Sequence, residues 1–135
     1  MSNKELLNVD LCNIIEHIIK IPFIFKTEQK YSIYELFKKS EYYKYYSYIT
    51  ENEIKKYLLQ NKYLINYWSN YSEDKRVDKG YYLTLREKNY EVGYFDSTNK
   101  KNCFIDSIYT LSEEIDACAK FIKLELEEIK KIYNF

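Results

Sequence analysis

Four copies of one short pattern constrain the fold of this chain most, because each of them marks where a helix can begin. In a capping box, a Ser or Thr is followed three residues later by Glu, and the two side chains satisfy backbone N–H groups at the helix start. The four pairs are Ser2/Glu5, Ser32/Glu35, Thr50/Glu53 and Thr110/Glu113. Apolar residues at helical spacing follow each pair, so the pattern predicts four helix starts.

The first predicted helix runs over residues 3–20. Pro22 is expected to end it, because the residue before a proline avoids the helical region of backbone space. Residues 22–27 are therefore predicted to form an extended connection. The apolar stripe of this helix consists of Leu7, Leu11, Ile14 and Ile18.

Further helices are predicted to begin at Ser32, at Thr50 and near Asn61. Residues 42–49 are rich in tyrosine. Their spacing fits an amphipathic helix better than a tyrosine motif with a dedicated function. The face expected to be buried carries Tyr42, Tyr45, Tyr46 and Ile49. The helical pattern fades after Tyr71, and residues 72–79 are predicted to form a charged turn.

The spacing of apolar residues then changes from helical to alternating, which predicts antiparallel strands over 81–86, 90–96 and 103–109. Tyr81, Leu83 and Leu85 are expected to share one face, with Val92 and Ile105 on the matching faces of their strands. A glycine in the middle of the second strand, Gly93, indicates a bulge or the close approach of a neighbouring element.

A last helix is predicted over 111–133, and it is expected to pack on the sheet. Its apolar stripe is Leu111, Ile115, Cys118, Ile122, Leu126 and Ile129. Its charged residues are predicted to form a solvated face: Lys123, Glu125, Glu127, Glu128, Lys130 and Lys131. The whole is predicted to be a single α+β domain over 1–135, with three to four N-terminal helices, a three-stranded antiparallel meander and a long C-terminal helix.

Charge and composition narrow the function. The 135 residues include 21 basic and 21 acidic side chains, so the net charge is zero, whereas nucleic-acid binders usually carry a basic excess. Residues 1–20 lack the apolar core of a signal peptide, and no stretch is long and apolar enough to span a membrane. A cytoplasmic protein is expected. The 17 tyrosines reflect either function or the codon bias of an AT-rich genome.

No catalytic, metal or cofactor site is predicted. The one histidine, His17, lies at the edge of an apolar stripe and is interpreted as packed or surface-exposed. Cys12, Cys103 and Cys118 are widely spaced and form no CxxC pair, so they are predicted to be reduced, small buried side chains and not zinc ligands. The two glycines form no phosphate-binding loop. The chain is therefore predicted not to be an enzyme.

The aromatic surplus favours a protein partner, because Tyr and Trp combine apolar area with a polar tip and dominate interface hot spots. The residues predicted to bind a partner are Trp68, Tyr71, Glu73, Asp74, Arg76 and Tyr82. For Trp68, a place in the core is the alternative. A second hypothesis is an RNA-binding, single-stranded nucleic-acid-binding or regulatory module that uses the Tyr/Lys-rich segment 38–56.

Four segments carry a resemblance to known proteins: 67–76 (YWSNYSEDKR), 80–82 (GYY), 90–95 (YEVGYF) and 115–122 (IDACAKFI). Together they are similar to small immunity proteins of bacterial polymorphic toxin and contact-dependent growth inhibition systems. The resemblance implies a cytoplasmic, non-enzymatic inhibitor. Such a protein binds one cognate toxin domain, often a nuclease, and blocks its active site.

Overall fold

The computed structural model describes residues 3–75 and 77–133, and their side chains from residue 11 onward. The elements in these ranges are α1 Asn3–Ile19, α2 Ile21–Glu28, α3 Ile33–Lys39, α4 Tyr42–Tyr45, α5 Glu51–Gln60, α6 Leu64–Asp74, β1 Lys79–Arg86, β2 Asn89–Asp96, β3 Phe104–Thr110 and α7 Glu114–Ile132. The predicted fold class is confirmed: the chain is α+β, and a long C-terminal helix packs on a three-stranded antiparallel sheet.

Each predicted helix start that the structure describes, at Ser32, Thr50 and Thr110, has a hydrogen bond between the Ser or Thr and the glutamate, and at Thr50 only the hydroxyl half of the box is formed. The Ser32 hydroxyl accepts from the Glu35 N–H at 3.1 Å, and the Glu35 carboxylate accepts from the Ser32 N–H at 3.3 Å. Thr50 and Thr110 likewise share hydrogen bonds with the glutamates three residues later. The box at Ser2 lies outside the described residues.

The extended connection predicted over 22–27 is wrong, because this segment forms α2. Pro22 lies in the first turn of that helix. A proline is tolerated there, since the N–H that it lacks would have no partner within the helix. Pro22 therefore helps to begin a helix after α1 has ended at Ile19, and Gln29 ends α2 in the left-handed region with φ 55°.

The tyrosine-rich stretch is helical, but it is not one continuous helix. Glu41 adopts φ 62° and separates α4 from α3, and a 3₁₀ turn over Tyr46–Tyr48 follows α4. Tyr42 and Ile49 are buried as predicted, whereas Tyr46 is exposed. A 3₁₀ turn winds at three residues per turn, so residues four apart no longer share a face.

The helix predicted to begin near Asn61 begins at Leu64 and continues to Asp74, so the first part of the predicted charged turn is helical. The Ser72 hydroxyl accepts from the Leu83 N–H at 2.8 Å and donates to the Leu83 carbonyl at 3.1 Å. This tertiary contact holds the last turn of α6 against the outer edge of β1. Acidic side chains near a helix C-terminus interact unfavourably with the helix dipole. The stabilisation from the Ser72 hydrogen bonds is larger than this unfavourable interaction.

The strands lie within two residues of their predicted bounds, in the order β1-β2-β3. Leu83 pairs with Val92, and both side chains are buried beneath α7. The bulge predicted at Gly93 is confirmed by a shift of register between Val92 and Gly93. The extra residue on β3 turns Ile105 to the outer face, so its predicted core position is wrong. Leu85, at the hairpin end of β1, is also exposed.

Two further burial predictions are wrong. Cys118 is buried, as expected, but Cys12 and Cys103 are exposed. Leu111 belongs to a 3₁₀ turn that precedes α7, and its side chain is exposed because it lies outside the packed face of the helix.

Candidate partner-binding site

The C-terminal end of α6 brings predicted binding residues to two concave surfaces. Tyr71 and Asp74 line a groove between α6 and the α2–α3 pair, which we call the α2–α6 groove. Glu73 and Tyr82 line a shallow hollow on the outer face of the sheet, which we call the sheet-face hollow. Arg76 lies outside the described residues. The structure therefore divides the predicted set between two surfaces.

Trp68 belongs to the core and to neither surface. Its side chain is 2% exposed, and its indole N–H donates to the Ile19 carbonyl at 2.8 Å. The ring packs edge-on against Tyr71 and Phe121, with centroids 5.6 Å and 6.3 Å away. Trp68 thus fixes α6 against α1 and α7, and it has almost no surface to offer a partner.

The α2–α6 groove has a volume of about 580 Å³. Tyr67 and Tyr71, four residues apart on α6, line the same side of it, as helical geometry requires. From α2 come Pro22, which is buried, and Phe25, which is 44% exposed. The floor is therefore apolar and aromatic. Charged residues at its rim are Lys26 and Asp74.

A buried ion pair closes one end of this groove. The Lys75 ammonium lies 2.7 Å from the Glu125 carboxylate, and their side chains are only 9% and 5% exposed. The same ammonium lies 5.5 Å from the centre of the Phe121 ring and 5.8 Å from that of Tyr71. Burial and the neighbouring Glu125 raise the pKa of Tyr71, so its hydroxyl stays protonated. These contacts hold the aromatic floor in one arrangement.

The sheet-face hollow has a volume of about 570 Å³, and it is lined by Tyr82 and Ile105, the two residues that pair with Gly93 across the sheet. A Cβ on Gly93 would lie 2.5 Å from the Tyr82 hydroxyl oxygen and 2.6 Å from the Phe104 carbonyl oxygen. Only glycine fits there, which confirms the predicted close approach. The Tyr82 hydroxyl donates to the buried Glu91 carboxylate at 2.6 Å, and burial together with Glu91 raises the pKa of Tyr82 to about 12.

Several tyrosines of the 38–56 region and its surroundings are in contact with lysines of the chain itself. The Lys130 ammonium lies 3.8 Å from the centre of the Tyr46 ring, and the Lys123 ammonium donates to the Tyr42 hydroxyl at 2.7 Å. Tyr42 is buried, and burial and Glu127 raise its pKa. Tyr48 remains more than half exposed.

Outside these two surfaces, the described residues include few candidates for catalysis or metal binding. His17 is partly buried, and burial and Lys39 lower its pKa. Its Nδ1 atom has no hydrogen-bond partner within the described part of the chain. Over 3–75 and 77–133, no three His, Cys, Asp or Glu side chains are grouped as metal ligands, and no helix has the length and apolarity to cross a membrane.

Sequence reasoning missed two contributors to the α2–α6 groove. The sequence pattern predicts Phe25 in an extended connection, although a proline near a helix start, such as Pro22, is a signal that indicates its place on α2. Glu125 was assigned to a solvated face, but it is buried and paired with Lys75. No local pattern shows which of several charged residues on α7 meets a lysine 50 positions earlier.

Comparison with known proteins adds no relative from which a role could be transferred. A scan against protein-family models, a search of curated proteins and a search of solved structures each found no match to this chain.

Proposed function

We propose that this chain is an immunity protein that binds and neutralises a cognate bacterial toxin domain, with a nuclease as the expected toxin class. It acts by covering the toxin's active site, and it performs no catalysis itself. The proposal joins the similarity of the 67–76, 80–82, 90–95 and 115–122 segments to immunity proteins with a surface suited to a protein partner.

The observation that carries the proposal is the construction of the α2–α6 groove. An aromatic and apolar floor beneath a rim with both signs of charge is the usual anatomy of a protein–protein hot spot. Tyr67 and Tyr71 present large apolar area, while Asp74 and Lys26 stand at the rim. Because the floor is held by packing and by the Lys75–Glu125 ion pair, little ordering entropy is lost when a partner binds.

In this mechanism, affinity comes from an apolar side chain of the toxin that enters the groove and displaces water from its floor. Specificity comes from the rim, where a toxin that offers the wrong charge to Lys26 or Asp74 leaves a charge unpaired. Inhibition follows because the bound chain covers the toxin surface that its substrate must approach.

The test is co-expression with the toxin domain encoded beside this gene. The wild-type chain is expected to restore growth and to form a complex with the purified domain. Phe25→Ala removes an exposed ring at the groove, and we expect it to weaken the complex by about 2 kcal/mol, roughly thirtyfold in affinity. Calorimetry or surface plasmon resonance measures the change.

Leu59→Ala is the matched control, since Leu59 is 47% exposed on α5 and Phe25 is 44% exposed on α2. The control variant is expected to bind the toxin as the wild type does. The proposal fails if the wild-type chain neither restores growth nor forms the complex. The assignment to the groove fails if Phe25→Ala binds as tightly as Leu59→Ala.

A salt titration against single-stranded RNA separates the alternative function from the first. Phosphate contacts release counterions, so an RNA complex of segment 38–56 would weaken steeply as salt rises. A neutral protein with both charge signs at its binding surface is expected to show a shallow salt dependence with its toxin. RNA binding at low salt that Tyr48→Ala abolishes would favour the alternative.

A further inference from the structure

The strand β3 forms an open edge of the sheet and carries large apolar side chains there. Among residues 3–75 and 77–133, the order β1-β2-β3 leaves one side of β3 without a neighbouring strand. Phe104, Ile105 and Ile108 are 47%, 56% and 59% exposed. Residues 104–110 contain neither lysine nor proline, two residues that commonly protect such an edge, and the protective feature that this strand does have is the bulge at Asp106. We propose that β3 pairs antiparallel with β3 of a second copy of this chain, which joins two sheets into one of six strands.

The bulge decides which side chains of β3 share a face. Ile108 lies opposite Glu91, and Ile105 lies opposite Gly93, so both isoleucines are on the outer face of the sheet. Asp106 is the extra residue between them and turns toward α7, where its carboxylate lies 3.8 Å from the Lys120 ammonium. Without the bulge, residues three apart would lie on opposite faces.

The strand is self-complementary about a point between Asp106 and Ser107. Read outward from that point, both halves carry a polar residue, an isoleucine and an aromatic residue. A two-fold axis at this point therefore places Ile105 opposite Ile108 of the second copy on the outer face. It also places Phe104 opposite Tyr109 on the face toward α7. Apolar side chains meet apolar side chains on both faces, which is the pairing that stabilises a sheet.

The same register avoids the repulsion that other registers create. Each Asp106 lies opposite a Ser107 hydroxyl, whereas an axis on Asp106 would place two carboxylates together. This match identifies a second copy of the chain as the occupant, because a two-fold axis requires a strand to complement itself.

The area involved predicts a weak dimer. The three exposed side chains, two on the outer face and one on the face toward α7, leave roughly 300 Å² of apolar surface on each copy, which is below the area of a permanent interface. We therefore expect a monomer–dimer equilibrium with a dissociation constant in the micromolar range or above.

Sedimentation equilibrium of the purified chain over a wide concentration range tests the proposal without a toxin, so its outcome is independent of the proposed function. The average mass is expected to rise from 16.6 kDa toward twice that value. Ile108→Lys is expected to raise the dissociation constant roughly tenfold or more, whereas the matched variant Leu59→Lys on α5 leaves it unchanged. Circular dichroism confirms that both variants fold. A chain that stays monomeric at every concentration overturns the proposal. In that case an extended segment of another protein would be the candidate to pair with the edge of β3.

Two substitutions at Ser107 test the register. Ser107→Lys would face Asp106 of the second copy and is expected to strengthen the dimer severalfold, although lysine on a strand edge ordinarily prevents pairing. Ser107→Asp would place two carboxylates together and is expected to weaken the dimer severalfold. Equal effects of the two substitutions, or the reverse order, would overturn this register.

Discussion

At the scale of single residues, the buried Lys75–Glu125 pair has a large expected effect on stability. Both groups are withdrawn from water and lie 2.7 Å apart, at one end of the α2–α6 groove. Removing the charges from water is costly, and their mutual attraction offsets that cost only while both are present. The pair therefore makes the fold sensitive to the loss of either partner alone.

A double-mutant cycle measures this dependence. Lys75→Met leaves the Glu125 carboxylate buried without its partner, and we expect it to lower the free energy of unfolding by about 3–5 kcal/mol. Lys75→Met combined with Glu125→Leu is expected to lie within about 1 kcal/mol of the wild type, since no uncompensated charge remains. Urea unfolding of the wild type, of the single variants Lys75→Met and Glu125→Leu, and of the double variant gives the values. Additive losses in the double variant would contradict the expectation.

The loop between β2 and β3 depends in a similar way on one carboxylate. Hydrogen bonds from Asn102 and then from Thr98 hold the pKa of Asp96 well below its usual range. The folded chain thus favours ionised Asp96 more strongly than the unfolded chain does. This stabilisation is present above the ordinary carboxyl pKa of about 3.9 and is lost as the pH falls through the lower pKa of the folded state.

Asp96→Asn is therefore expected to reduce the loss of stability in acid. The measurement is the free energy of unfolding in urea at several values from about pH 7 down to about pH 2, which includes the range below the ordinary carboxyl pKa. Asp78→Asn, at an exposed aspartate close to this loop, is the control and is expected to keep the wild-type slope. An unchanged slope in Asp96→Asn would show that other carboxylates cause the acid dependence.

At the scale of elements, α6 organises the candidate site because it contacts three different parts of the chain. Trp68 connects it to α1, Tyr71 lies near α7, and Ser72 binds the edge of β1. These contacts extend the helix through Glu73 and Asp74, where the sequence pattern predicts a turn. This last turn of α6 separates the α2–α6 groove from the sheet-face hollow, and it places Asp74 at the rim of the groove.

Ser72→Ala tests this role of α6. The substitution leaves the Leu83 N–H and carbonyl groups unpaired beneath the helix, and it is expected to cost about 1–3 kcal/mol. Ser69→Ala, one turn earlier on the same helix, is expected to change stability by no more than about 0.5 kcal/mol. Thermal and urea unfolding compare the two. Equal stabilities would mean that packing alone, without the Ser72 hydrogen bonds, holds α6 against β1.

At the scale of the whole molecule, the two proposals use different elements. The α2–α6 groove is formed by helices, whereas the dimer edge belongs to β3. One copy can therefore bind a toxin through the groove while its sheet edge pairs with another copy. If so, the dimer would present two grooves related by the two-fold axis.

The two activities are accordingly expected to be separable. Phe25→Ala should weaken toxin binding and leave the monomer–dimer equilibrium unchanged, while Ile108→Lys should do the reverse. Growth protection and sedimentation equilibrium are measured on both variants, so that each variant has one value for toxin neutralisation and one for dimerisation. Loss of both properties in either variant would show that the surfaces are coupled or that one interface serves both roles.

Much of the fold could be predicted from local patterns. Ser32 and Thr50 were placed at helix starts, the strand bounds were close, and Gly93 was recognised as a tight position. These features depend on hydrogen bonds and steric limits among residues near in sequence, which a single stretch of chain contains. The candidate site was predicted less completely, because Trp68 is in the core and Phe25 was not recognised.

What the amino-acid sequence determined by itself is therefore the order and type of most elements, with α2 as the exception, and the neutral, aromatic-rich composition. Only the tertiary structure decided that Glu125 is buried, that Ile105 faces outward and that Tyr71 and Glu73 lie on different surfaces. Each of these outcomes depends on groups far apart in sequence: an ion pair across 50 residues, a bulge between two strands, and a helix end held by a distant strand edge. Local spacing cannot encode such choices, because they are settled by the packing of whole elements against one another.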